Sequence, residues 1–553
     1  MFNSKQKQLF EIGKQPTSDN SFVSTALKES SKTKSENGAL KYTTTGSDFV
    51  DQFSNLGAMK QPRSFDQISS DVSKQWAKNP YLTVCFIFFI RMITRIVSLF
   101  DGTKTKTVQR GSGLKHEGIM RMIWLQTYHP DTFWKNIQLY ISIGSWKDII
   151  QMLSYDLQYN GWNKRILNWD EFGKLILAGL ENPNTSELIK KYLPQIKANS
   201  QCKTLEAQAD NIIAKWICSL LFGGKKESYV NYKQYRKMKS SGTAHQWQQL
   251  ISQGKHNLID FNTVHGRALA LMVSSKYLSN NNLEKKYEEW IESKPIAKYT
   301  GYVHELFAKL PQKKYQIDTL NAQFNGLVGT ARKNAKTNTN LIVVRDTSGS
   351  MGSLATGTKQ SCFDIAKALA LFFSEMLPNG HFANSWIEFN NSAKMHQWKG
   401  SNAYEKWTND HTHFVGSTNF LSVIELFCII KKSGVSEEQF PSGILCISDS
   451  EFNPGQLNKT NVETALNLLK NSGFSDNYIS QFQIILWNLQ RRGAGNKFET
   501  NSTDVKNVFY FSGYDGSTIA FITGVDNVEK VPQTSEELFN VAMNQEIMQM
   551  IQI

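Results

Sequence analysis

The sequence lacks a hydrophobic run long enough to cross a bilayer. Its most apolar stretch, Tyr81–Ile90, is ten residues long, about half of the ~20 that a spanning helix requires. It reads as a core helix, and no membrane partner is expected. No signal peptide opens the chain, because Met1–Asn20 is polar and has no apolar central segment. The six cysteines, Cys85, Cys202, Cys218, Cys362, Cys428 and Cys446, form no CxxC pair. Most lie in apolar surroundings, as reduced core thiols do, and this predicts a cytoplasmic location. There is no Walker loop, no Ser/His/Asp nucleophile set and no pair of catalytic carboxylates. Gly111-Ser112-Gly113 follows no expected strand and so is no phosphate loop. The expectation is a binding protein, not an enzyme.

What the sequence does have is length, apolar content and an uneven charge. At 553 residues the chain suits two to four domains. Its 40% hydrophobic and 20% charged content is that of a globular protein. The net charge is +14; residues 1–330 carry about +17 and residues 331–553 about −3. An excess of that size suits a polyanion partner, or else it is a basic surface kept for solubility.

Residues 1–60 are rich in Ser, Thr, Lys, Asn and Gln and read as a disordered polar tail, or alternatively as a targeting or packaging arm. Residues 61–330 carry helical periodicity and no convincing strand. Many short helices with short connections suggest an all-α, HEAT-like helical-repeat module. A break is expected at Asn79-Pro80. Residues 335–530 alternate strand and helix, which predicts a doubly wound, Rossmann-like α/β domain. Residues 531–553 read as a C-terminal helix.

Within the α/β part, Leu341–Gly352 (LIVVRDTSGSMG) stands out. Leu341–Val344 is a continuous apolar run, three of its four residues β-branched, and reads as a buried parallel strand. Asp346, Ser348 and Ser350 follow at alternate positions. One carboxylate and two hydroxyls at a strand end suit a hard divalent cation, Mg²⁺ or Mn²⁺, and leave it short of an external oxygen. Thr347 lies between two ligand positions and should point away. The bland alternative is that Asp346 and the serines only cap the next helix.

Two further clusters invite chemistry. His411-x-His413 could hold a metal but offers no third ligand, so a solvated loop is the plainer reading. Lys233, Arg236, Lys237 and Lys239 interleave with Tyr232 and Tyr235. They are either phosphate contacts with base-stacking rings or one solvated helix face.

The D-x-S-G-S-M pattern resembles the metal-ion-dependent adhesion site of von Willebrand factor A domains. The resemblance implies two more ligands, which Thr418 in Gly416-Ser417-Thr418-Asn419 and Asp449 after Ile444–Ser448 can supply. It also implies that an acidic group of a protein partner completes the ion. Upstream, Phe53–Gln61, Phe89-Ile90-Arg91, Gly144–Asp148, Lys215-Trp216, Tyr235-Arg236-Lys237 and Leu258–Ala270 occur in an order that resembles TROVE-type proteins, the Ro autoantigen and its relatives. The branch it is most similar to is found in plants, large DNA viruses and bacteriophages. The resemblance spans roughly residues 50–530. It implies a ribonucleoprotein scaffold whose helical module binds single-stranded or misfolded RNA, located in the cytoplasm, or in the host cytoplasm or virion if viral. Arg110–Glu117 keeps that branch's glycines without its full basic pattern, after an insertion-like segment, Asp101–Arg110. Lys115 is the RNA contact this loop offers. Two other readings stand beside this one: an interaction or structural protein without nucleic acid, and a metal-dependent nuclease.

Overall fold

The computed structural model describes residues 29–58, 62–93, 95–98, 106–223, 229–241, 246–264, 266–294, 296–332, 340–355, 357–376, 382–490, 496–503, 505–516, 521 and 532–553. These form two compact units. One comprises the described residues of Met1–Pro62, Ile93–Gly113 and Val264–Gln549, and the other Arg63–Met92, Leu114–Thr263 and Met550–Ile553. The helix-rich N-terminal region and the C-terminal α/β sheet are therefore both present. The division nevertheless differs from the sequence boundaries, since residues 264–332 and the N-terminal segment fold with the sheet.

Among the described residues, the helical unit contains no strand. Helices Phe65–Lys78 and Pro80–Arg91 meet at Asn79. Its side chain accepts from Leu82 N at 2.9 Å, and Pro80 occupies the first helical position, where a missing N–H costs nothing. Pro80–Arg91 is buried at every residue but the first, as a core helix should be. Trp146–Asn160 packs on Leu205–Phe222, and Trp169 stacks edge-on against Trp216 at 4.8 Å.

The other unit is built on a six-stranded sheet. Two antiparallel hairpins precede it: β1 (Lys32–Lys34) with β2 (Leu40–Tyr42), and β3 (Arg95–Ser98) with β4 (Lys106–Gln109). The sheet strands are β5 (Leu341–Asp346), β6 (Ser385–Phe389), β7 (Ala393–Gln397), β8 (Gly443–Ser448), β9 (Gln483–Asn488) and β10 (Val508–Ser512). Their order is β10-β9-β8-β5-β6-β7, parallel except for the β7 edge. Alternate residues serve opposite faces. Ile342, Val344, Ile444, Cys446, Ile484 and Leu486 pack in one core with helices Leu421–Lys432 and Asn461–Asn471. On the other face, helix Cys362–Met376 brings Phe373 to 5.2 Å from Trp487. Helices Asp48–Asn55 and Ser535–Met543 join that face through Phe53, which meets Phe511 and Phe539.

Three expectations are corrected. The polar tail does not run to residue 60. Residues 1–28 lie outside the described residues, but residues 29–58 form the β1–β2 hairpin and a helix packed on the sheet. Their partners stand more than 400 positions downstream, beyond the reach of local composition. The region expected to be strand-free contains the β3–β4 hairpin, whose second strand falls on the insertion-like segment. The C-terminal helix is shorter than expected, Ser535–Met543, followed by a 3₁₀ turn at Glu546–Met550.

Candidate metal centre

In doubly wound sheets, ligands sit beyond the carboxyl ends of strands where the strand order reverses. Here the chain proceeds from β5 to β6 on one side and returns to β8 on the other. Asp346 is the last residue of β5, and Asp449 follows the last residue of β8. Both are 0–1% exposed.

The Asp346 carboxylate is held on both oxygens. Oδ1 accepts from Ser348 N at 2.8 Å, and Oδ2 accepts from Ser448 Oγ. Ser348 Oγ lies 3.1 Å from Ser350 Oγ, so two candidate hydroxyls stand side by side next to the acid. Burial, with the charge of Asp449 added to it, pushes the Asp346 carboxyl up to about 7. Two buried acids in electrical contact are costly, and a divalent cation held by these residues would relieve that cost. The donor set therefore fits a hard ion, with Asp346, Ser348, Ser350 and Asp449 on the strand-end loops.

Thr418 is buried on a third loop that is tied to the other two. Gly349 N donates to Gly416 O at 3.1 Å, Val415 N to Thr347 O at 2.7 Å, and Asn453 N to Thr418 O at 2.9 Å. Thr347 turns away as expected. Its hydroxyl donates to Glu388 Oε1 at 3.1 Å and accepts from Asn390 Nδ2 at 3.1 Å.

Sequence reasoning missed the supports. Arg345 is fully buried on the opposite face of β5, its guanidinium 4.0 Å above the Trp386 ring. It donates to Asp410 Oδ2 at 2.6 Å and to Thr412 Oγ1, anchoring the stem of the Thr418 loop. Lys367 adds a hydrogen bond to Asp410 O at 2.9 Å. Charge inside an apolar strand is the signal that could have found Arg345, since an unpaired arginine is not tolerated there. His411 and His413 on the same stem are exposed. Among the described residues, no three His, Cys, Asp or Glu side chains gather as metal ligands.

The expected RNA contacts are scattered. Lys115 is ion-paired with the buried Asp148 at 3.3 Å, which Arg91 also engages at 2.7 Å, so it is part of a structural charge cluster. Tyr235 is buried, its hydroxyl on Pro194 O at 2.9 Å, and so offers no face for a base. Lys233 and Lys237 are exposed. Arg236, also exposed, and the half-buried Lys239 line a groove of about 640 Å³ with Glu187, Lys191, Gln195 and Gln253. Lys239 also reaches the last carbonyls of helix Pro183–Tyr192, and burial lowers its pKa and that of Lys191.

Residues 340–550 match a family described as a domain of unknown function, DUF7788. The match begins one residue before β5 and takes in the whole six-stranded sheet. No curated protein matches the chain.

Proposed function

We propose that the chain is a non-enzymatic scaffold with two binding modules, as its resemblance to TROVE-type proteins implies. In this reading the α/β unit is a von Willebrand A-type domain. Asp346, Ser348, Ser350, Thr418 and Asp449 hold Mg²⁺ or Mn²⁺, some directly and some through water. When bound, the ion supplies a positive centre for an oxygen ligand from outside, and an acidic side chain of a protein partner fills that place. The observation that carries the reading is the pair of buried carboxylates, Asp346 and Asp449, at the strand-order reversal. Titration calorimetry with Mg²⁺ on the wild-type and Asp346→Ala chains tests it.

The HEAT-like helical module is the RNA-binding part in this proposal. The groove lined by Lys191, Arg236 and Lys239 supports it: three cations against one acid, Glu187, leave a concave wall with net positive charge, which suits a phosphate backbone. Of the rivals, an interaction scaffold without nucleic acid would leave this groove idle. A nuclease would need more carboxylates around Asp346 and Asp449 than two.

A further inference from the structure

The loop that carries Asp449 is gripped by the N-terminal hairpin. Ser35 Oγ donates to Phe452 O at 2.9 Å, Glu36 N to Glu451 Oε2 at 2.6 Å, and Asn37 Nδ2 to Glu451 O at 2.5 Å. Lys41 Nζ lies 4.4 Å above the Phe452 ring and forms a fully buried ion pair with Glu499. Tyr42 and Phe498 exchange backbone hydrogen bonds at 2.8 and 2.7 Å. Lys497 closes the ring by donating to Glu451 Oε1 at 2.6 Å. The grip needs a tight turn, and Asn37-Gly38 provides it, with Gly38 at φ +90. Inside the gripped loop Ser450 takes φ +62, a conformation that a non-glycine residue keeps only when its surroundings fix it.

Four of these contacts, from Ser35, Glu36, Asn37 and Lys41, thus fall on residues 451 and 452, just after one candidate ligand, and a fifth ties Lys41 to Glu499. We propose that residues 29–42 are a strap whose side chains, Ser35, Asn37 and Lys41 above all, position Asp449 for the cation. The inference rests on the cation reading above. Strap docking and ion binding are then coupled, and by linkage each strengthens the other. A partner that peels the strap away would release the ion.

The test uses the full chain carrying Ser35→Ala and Asn37→Ala together. These substitutions remove two grips without stranding the buried Glu499. Hydrogen exchange followed by mass spectrometry reads the 449–456 segment directly, and calorimetry reads Mg²⁺ affinity. Loss of supports behind a ligand typically weakens metal binding by about 10–100-fold; about 10-fold is expected here. Exchange at 449–456 should accelerate in the variant, and Mg²⁺ should slow exchange at Glu36 and Ala39 in the wild type. Faster exchange with unchanged Mg²⁺ affinity overturns the positioning role, and unchanged exchange overturns the strap itself. If the wild type binds no Mg²⁺, the cation reading has failed, while the exchange result still decides whether the strap holds the loop. A variant that fails to fold by circular dichroism is replaced by Asn37→Ala alone, read in the same way.

Discussion

Ser448 Oγ donates to Asp346 Oδ2, so the last residue of β8 is tied to the last residue of β5. The bond crosses the point where the strand order reverses. It brings the residue before Asp449 into contact with the first acid of the D-x-S-x-S stretch. The two strand ends are thereby joined by a bond between a candidate ligand, Asp346, and a residue that is not one, Ser448.

Thr347→Val should separate structural from ligand roles. The hydroxyl serves Glu388 and Asn390, and valine leaves the buried Glu388 and the half-buried Asn390 each short of a partner. Stability should fall by about 1–3 kcal/mol, the usual cost of stranding buried polar groups. Mg²⁺ affinity should change less than threefold, because the Thr347 hydroxyl is engaged by Glu388 and Asn390, which are outside the candidate ligand set. Urea denaturation paired with calorimetry checks both parts.

The fold was legible where the chain states its own periodicity. Helix Leu205–Phe222 lies in the stretch read as helical, and β8 and helix Asn461–Asn471 lie in the stretch read as alternating strand and helix. The capping chemistry at Asn79-Pro80 ends one helix and starts the next at the expected place. What was hidden depends on distant partners. Residues 29–58 look like a polar tail because Lys41 finds Glu499, and Phe53 finds Phe511 and Phe539, only in three dimensions. The edge strand β7 (AKMHQ) was hidden too. Two of its five residues are half-buried and three are exposed, so it lacks the apolar signature of a core strand. At the candidate site, Asp346, Ser348 and Ser350 were readable as a pattern. Their supports Arg345, Asp410 and Ser448 were not, since each acts across elements.

Stability should depend on pH through His304. This side chain is 1% exposed, and burial lowers its pKa to about 4, below the ordinary histidine value. As pH falls below about 6.5 the unfolded chain takes up a proton that the folded chain refuses until about pH 4. The contribution is therefore complete above pH 6.5 and declines by up to about 3 kcal/mol on approach to pH 4. Denaturation midpoints measured from pH 7 to pH 4.5 should fall more steeply in the wild type than in His304→Phe. Equal slopes would show that His304 does not control the window.

RNA binding should follow the groove and not the whole basic helix. For single strands, log affinity falls with log salt by roughly 0.7 per phosphate contacted. Replacing Lys191, Arg236 and Lys239 by Ala should weaken single-stranded RNA binding and make the slope shallower by about 2. Replacing the exposed Lys233 and Lys237 should change the slope by less than about 1, and EDTA should leave RNA affinity intact. Filter binding across a salt series on the full chain reads all three. Absence of RNA binding at low salt would favour the interaction scaffold.

The most direct measurement is Mg²⁺ titration calorimetry of the full chain with and without Asp346→Ala, at pH 6 and pH 8. A carboxyl pushed up to about 7 holds a proton at pH 6 that the ion must displace. The wild type should therefore bind about tenfold more tightly at pH 8 than at pH 6, releasing a proton in the acid buffer. Asp346→Ala should remain folded and lose binding at both values. Undiminished Mg²⁺ affinity in the folded Asp346→Ala chain would contradict the cation site and the docking function built on it.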